Sequence, residues 1–187
     1  EVRGTADEMH ARFTDDKSDF SSFLLLWQYI NERQAELSSS QLRKMCHREF
    51  INFLRIREWQ DLFAQLREMG RTANIRVSNG RDIDASGREV EIHKSLLSGL
   101  LSHVGAKEER EKTYGKAPRG PREYLGARGT KFAIFPGSGL FKQNPDWVLS
   151  AELVETSRLW ARTNAAIEPQ WVEEVGGHLL KKQYSEP

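Results

Sequence analysis

Apolar residues in this chain change their spacing partway along, and that change limits the folds open to it. Up to about residue 70 they recur at helical intervals, whereas from residue 131 they gather in short segments rich in aromatic and branched side chains. The pattern predicts an α+β protein, a helical bundle followed by a small barrel-like β unit. Phe20, Phe23, Leu24, Trp27 and Ile30 form the first stripe behind Asp16 and Ser18, either of which can cap a helix start. Ser38 with Gln41 three residues on is a capping-box pattern. The stripes continue through Leu42, Met45, Cys46 and Phe50, then Ile56, Leu62, Phe63, Leu66 and Met69, with Gly70 as the stop. Trp27 and Trp59 lie on these stripes and are predicted to be core.

Residues 71–88 are polar and carry the turn signals Asn79-Gly80 and Ser86-Gly87, which divides the chain into 1–88 and 89–187. Ile92, Leu96, Leu97, Leu100, Leu101 and Val104 predict a helix buried over most of its circumference and ended by Gly105. The β segments fall at 131–135, 147–154 and 157–163, separated by Gly137, Gly139, Asn144 and Pro145. Pro169 opens a last helix, with Trp171, Val172, Val175 and Leu179 facing inward.

The 187 residues suffice for one domain or two small ones. The lone Cys46 has no disulfide partner in the chain, which points to a reducing compartment, the cytoplasm by default. No apolar run is long enough to span a bilayer, so no membrane is expected. Glu1, Val2, Arg3 and Gly4 lack the apolar core of a signal peptide and read as cut from a larger protein. Net charge is only +1, yet residues 110–131 hold seven basic against two acidic residues, leaving the remainder acidic. Within that run, residues 113–122 read as an exposed loop that can be removed without unfolding the protein.

No catalytic constellation emerges. Gly126, Gly129, Gly137 and Gly139 are not followed by the Gly-Lys-Ser/Thr of a phosphate-binding loop, and the five histidines are scattered. More informative are Lys131, Lys142, Arg158 and Arg162 in or beside the β segments, together with Phe135, Phe141 and Trp160. A small five-stranded barrel that binds single strands needs cations for phosphates and aromatic faces for bases. Burial in the core is the plain alternative for each ring taken singly.

Several strings carry a family resemblance. They are Glu123-Tyr124-Leu125-Gly126-Ala127-Arg128-Gly129, Phe132 to Phe141 through Pro136-Gly137-Ser138-Gly139, Trp147-Val148, Ala151 to Arg158, and Ile167-Glu168-Pro169-Gln170-Trp171. They are similar to the C-terminal oligonucleotide-binding (OB) fold of DEAH-box helicases. His93-Lys94 with Leu100-Leu101-Ser102-His103 resembles the bacterial HrpA branch. Asp15-Asp16, Ser18-Asp19-Phe20, Leu26-Trp27 and Arg55-Ile56-Arg57-Glu58-Trp59 resemble the helical ratchet domain of the same helicases.

The resemblance implies a ratchet-like region at 1–88 and a five-stranded OB-type barrel with a C-terminal helix at 89–187. In such helicases the two close over single-stranded RNA and hold it against RecA-like motor domains. On that basis Arg55 and Arg57 in the helical part, and Arg128, Lys131, Ser138, Lys142 and Arg158 on the barrel, are the RNA-contact candidates. Backbone groups of the Gly137-Ser138-Gly139 turn are placed to meet phosphates as well. ATP and Mg2+ would belong to the motor domains, whose motifs are absent from this sequence, so no cofactor and no catalysis are expected of this chain alone. The other implied partners are the motor and winged-helix domains of the same polypeptide. A competing expectation is a protein-interaction module that docks those domains or an outside partner such as the ribosome.

Overall fold

A computed structural model describes residues 2–76, 87–109 and 120–177. The element order is α1 (Val2–His10), α2 (Asp19–Glu36), α3 (Ser39–Arg48), α4 (Phe53–Thr72), α5 (Glu89–Leu100), β1 (Val104–Lys107), β2 (Glu123–Gly126), β3 (Lys131–Ile134), β4 (Trp147–Glu155), β5 (Leu159–Ala166) and α6 (Pro169–Gly176). Short 3-10 turns precede α2, β1 and β3. Two compact units result: Glu1–Thr14 with Phe23–Ala85, and Asp15–Ser22 with Ser86–Pro187. The segment 15–22 therefore belongs with the barrel, which a single boundary at 88 does not express.

In the first unit, α3 starts at the expected capping box. The Gln41 N–H donates to Ser38 Oγ at 3.4 Å and the Ser38 N–H to Gln41 Oε1 at 2.9 Å. Asn52 caps α4 by accepting from the Arg55 N–H at 3.2 Å. Ile30, Leu42, Met45, Cys46, Ile51 and Ile56 form the core, with Trp27 buried beside Trp59 and Phe63. Glu49 is buried too. Burial works against its ionised form, but hydrogen bonds from Tyr29 and Arg12 outweigh that and hold its pKa below the ordinary carboxylate value.

Three expectations are corrected in the helices. Leu62, Leu66 and Met69 keep helical spacing but lie 53%, 56% and 66% exposed, so periodicity marked a face that this unit leaves uncovered. Trp59 is half-buried, unlike Trp27. The α4 helix also runs past Gly70 to Thr72, because its hydrogen-bond ladder tolerates a glycine near the end.

The second unit is a closed barrel of strand order β1-β2-β3-β5-β4, in which β3 and β5 run parallel and the other pairs antiparallel. This is the OB strand order. Tyr124, Phe132, Ile134, Leu140, Val148 and Ala161 fill its interior. Leu97, Val104, Leu149, Ile167 and Val172 form a second cluster that packs α5 and α6 onto it. Ser18 bridges to Ala165, and the Ala166 N–H donates to the Lys17 carbonyl at 2.8 Å, extending the ladder beyond β5.

Here too the sequence pattern misled in places. Of the α5 residues only His93 and Leu97 are buried, while Val90 is 42% exposed, so the helix buries one face and not most of its circumference. Val104 and Gly105 are strand residues. A Cβ on Gly105 would sit 2.4 Å from Phe132 Cζ, so this glycine is required for close strand packing and is no helix stop.

Candidate nucleic-acid interface

The basic side chains proposed from the sequence divide by whether a carboxylate already holds them. Arg55, on the exposed side of α4, pairs with Glu58 at 2.7 Å. Lys131 at the start of β3 pairs with Glu108 at 2.8 Å, and the hydrogen bond and charge of that carboxylate raise the lysine pKa. Such exposed pairs are weak, so either cation can leave its carboxylate for a phosphate at little cost. Arg57, Arg128, Lys142 and Arg158 are exposed, and none has a carboxylate within 4.0 Å among the described residues. Arg128 stands in the turn between β2 and β3 with φ 57°, Lys142 in the turn between β3 and β4, and Arg158 in the hairpin joining β4 to β5. Three of the barrel candidates thus sit in connections between strands, where side chains project freely. Arg57 belongs to the helical unit and is described with that unit alone.

Ser138 has a different environment. Its hydroxyl donates to Asp19 Oδ2 at 2.6 Å, the Gly139 N–H donates to Asp19 Oδ1 at 3.0 Å, and the Asn164 N–H donates to Asp19 Oδ2 at 2.8 Å. The Ser138 oxygen in turn accepts from the Leu140 N–H at 3.2 Å. The Ser138 hydroxyl and the Gly139 N–H are therefore spent on a carboxylate of the same unit, the Ser138 N–H donates to the Phe135 carbonyl at 2.9 Å, and Lys142 lies exposed just beyond this bracketed turn. Sequence alone gives no sign of this, since Asp19 lies more than a hundred residues away from the turn it ties down.

The aromatic candidates also separate. Phe141 is half-buried and packs against the barrel core. Phe135 and Trp160 are half-buried on the outside, where their rings meet edge to face with centroids 5.9 Å apart. Arg162, next along β5, lies over Phe135 with its guanidinium 4.7 Å from the ring centroid. Strand alternation in the sequence could have placed Arg162 beside Arg158 and Trp160 on one face.

Other chemistry-bearing groups are structural. His93 is buried and shares a 2.7 Å hydrogen bond with Ser18 Oγ, and its burial lowers its pKa by disfavouring the charged ring. Among the described residues no cluster of His, Cys, Asp or Glu could hold a metal ion, and no helix is long and apolar enough to cross a membrane. Most of the basic loop at 113–122 lies outside the described residues, as does His178.

Comparison with known proteins agrees with this architecture. Residues 92–179 match the family model described as an oligonucleotide/oligosaccharide-binding (OB) fold. The chain is 48% identical over 187 residues to the ATP-dependent RNA helicase HrpA homolog of Haemophilus influenzae and 50% identical over 182 residues to ATP-dependent RNA helicase HrpA of Escherichia coli. It is 26% identical over 182 residues to the Pre-mRNA-splicing factor ATP-dependent RNA helicase prp22 of Schizosaccharomyces pombe. These alignments take in 97% or more of this chain but only 13% to 14% of each relative.

Proposed function

We propose that this chain, homologous along its whole length to the C-terminal region of HrpA-type DEAH-box RNA helicases, is an accessory module that holds single-stranded RNA for a motor it does not itself contain. The observation that carries the proposal is the set of exposed cations Arg128, Lys142 and Arg158, none with a carboxylate partner among the described residues, in three inter-strand connections of an OB-type barrel. Phosphate contacts from such side chains give grip without reading sequence, which suits a module past which RNA must slide. Ser138 enters this reading as part of the bracket under Lys142, and Lys131 and Arg55 as cations that must first leave their carboxylates. ATP and Mg2+ belong to the RecA-like motor domains, and the cytoplasm is the compartment in which such an enzyme meets RNA.

The helical unit supports a second role beside the first. Leu54, Leu62, Leu66 and Met69 leave an apolar face of α4 exposed, which favours docking against another protein surface such as the motor or winged-helix domains.

Charge reversal tests the RNA reading. Lys142→Glu and Arg128→Glu should each weaken binding of single-stranded RNA and lower the dependence of log K on log salt by about 0.7, the share of one phosphate contact on a single strand. Filter binding at two salt concentrations measures this. An unchanged slope in both variants would remove these connections from the interface.

A further inference from the structure

Helix α3 carries a charge pattern that the other long helices of its unit do not. Its inner side, Leu42, Met45 and Cys46, is buried, whereas Arg43, Lys44, His47 and Arg48 are exposed, and residues 39–48 include no acidic side chain. The helices before and after it neutralise themselves. Arg33 pairs with Glu36 at 2.9 Å in α2, while in α4 Arg55 pairs with Glu58 at 2.7 Å and Arg71 with Glu68 at 3.4 Å, all within one turn. Among the described residues neither Arg43 nor Lys44 has a carboxylate within 4.0 Å. Arg48 meets only Glu49, at 3.7 Å, and that carboxylate is already held by Tyr29 and Arg12.

Helix stability does not explain the pattern. Cations in a last turn offset the helix dipole, which accounts for His47 and Arg48 but not for Arg43 and Lys44 farther in. Arg43 keeps its charge while its guanidinium rests 5.6 Å from the Phe53 ring centroid. Lys44 and Arg48 are like charges one turn apart, an arrangement that costs a helix stability and that a bound anion relieves. The four side chains fall in two rows, Arg43 with His47 and Lys44 with Arg48, with about 6 Å between the members of a row. That is the scale on which phosphates follow one another along a strand. Apart from the His47 imidazole, α3 has no aromatic ring, and its other exposed residues are Ser39, Ser40 and Gln41. A surface for unpaired bases needs rings to stack on, whereas paired RNA hides its base faces and offers phosphates and 2′-hydroxyls. Cations set on a rigid helix suit the regular backbone of a duplex, because neither side loses much freedom on binding.

We infer that Arg43, Lys44, His47 and Arg48 form a binding surface on α3 for the phosphate backbone of paired RNA. The surface belongs to the helical unit and uses none of the residues assigned above to single-stranded RNA. It therefore goes beyond the holding role of the barrel and stands or falls separately from it, adding the paired form of RNA to what the module holds.

Fluorescence anisotropy with the full chain tests it, using a labelled blunt RNA duplex, a labelled single-stranded oligouridylate and, as competitor, an oligoglutamate of matched charge. The wild type should bind the duplex with a salt slope that the double variant Lys44→Gln/Arg48→Gln lowers by about 2, one for each phosphate contact. The same variant should weaken duplex binding about tenfold at moderate salt and leave oligouridylate binding unchanged. Glutamine is a good helix former and the change removes a like-charge pair, so circular dichroism should show wild-type helix content. No duplex binding by the wild type, or an unchanged slope in the double variant, would overturn the surface and leave the barrel's grip on single strands standing. An equal fall for duplex and oligouridylate, or displacement of the duplex by oligoglutamate, would overturn its assignment to paired RNA. Duplex binding by a wild type that does not bind oligouridylate would instead support this surface and overturn the role of the barrel.

Discussion

Replacing Trp27 with Ala should destabilise the helical unit by about 3 to 5 kcal/mol, the usual cost of deleting a large buried aromatic. Trp27 is only 6% exposed. Its ring is held by Trp59 at 4.8 Å and Phe63 at 5.0 Å between centroids, both tilted, so its loss opens a cavity that two stiff rings cannot close. Helical spacing predicts the same cost for Trp59. The structure separates the two: Trp59 is half-buried, and part of its surface stays in water in the wild type, so Trp59→Ala should cost distinctly less. Urea denaturation followed by far-UV circular dichroism gives both values, and equal losses would show that the burial difference carries no energy.

The second large effect belongs to Asp19. Removing its carboxylate with Asp19→Ala leaves the Asn164 N–H, the Gly139 N–H and the Ser138 hydroxyl without their acceptor. An unsatisfied buried donor costs about 1 to 3 kcal/mol. Asn164 is fully buried, whereas Asp19 and Ser138 are half-buried and water can reach part of the gap. The sum expected is therefore about 2 to 4 kcal/mol, nearer the cost of one or two donors than three. Asp19→Asn retains one acceptor oxygen and should fall between wild type and Asp19→Ala. Thermal unfolding of the three proteins measures the series, and a loss below about 0.5 kcal/mol for Asp19→Ala, the size of an ordinary surface substitution, would mean that the bracket is not holding the turn.

These two residues also mark what the sequence made legible. Trp27 was readable because a helix repeats every 3.6 residues, and the same rule located α2, α3 and α4, with Ser38 and Gln41 fixing one start and Pro169 another. Strands β3, β4 and β5 announced themselves through aromatic and branched side chains. Strands β1 and β2 did not: each has four residues, and Val104–Lys107 and Glu123–Gly126 owe their conformation to partners across the barrel more than to their own preferences. Helix α1 carried no stripe strong enough to be read.

Burial was less legible than periodicity, as exposed Leu62, Leu66 and Met69 demonstrate, because a stripe tells which side is apolar and not what covers it. The Asp19 bracket was out of reach for a different reason. Three hydrogen bonds that cross 119 to 145 residues of chain leave no local pattern. The same holds for the pairing of Lys131 with Glu108, which only the closing of the barrel brings about. Lys142 and Arg158 were readable as exposed cations near strands, and alternation along β5 puts Arg162 on the face of Arg158 and Trp160, while the place of Phe135 beside Arg162 required the parallel register of β3 on β5.

Equilibrium binding of a fluorescent single-stranded RNA to the full chain, measured across a range of salt concentrations, addresses the RNA-holding role most directly. With Arg128, Lys142 and Arg158 on phosphates, three released counterions should give a slope of log K against log salt of about −2. A slope near zero, or no binding even at low salt, would contradict the proposal that this barrel holds RNA.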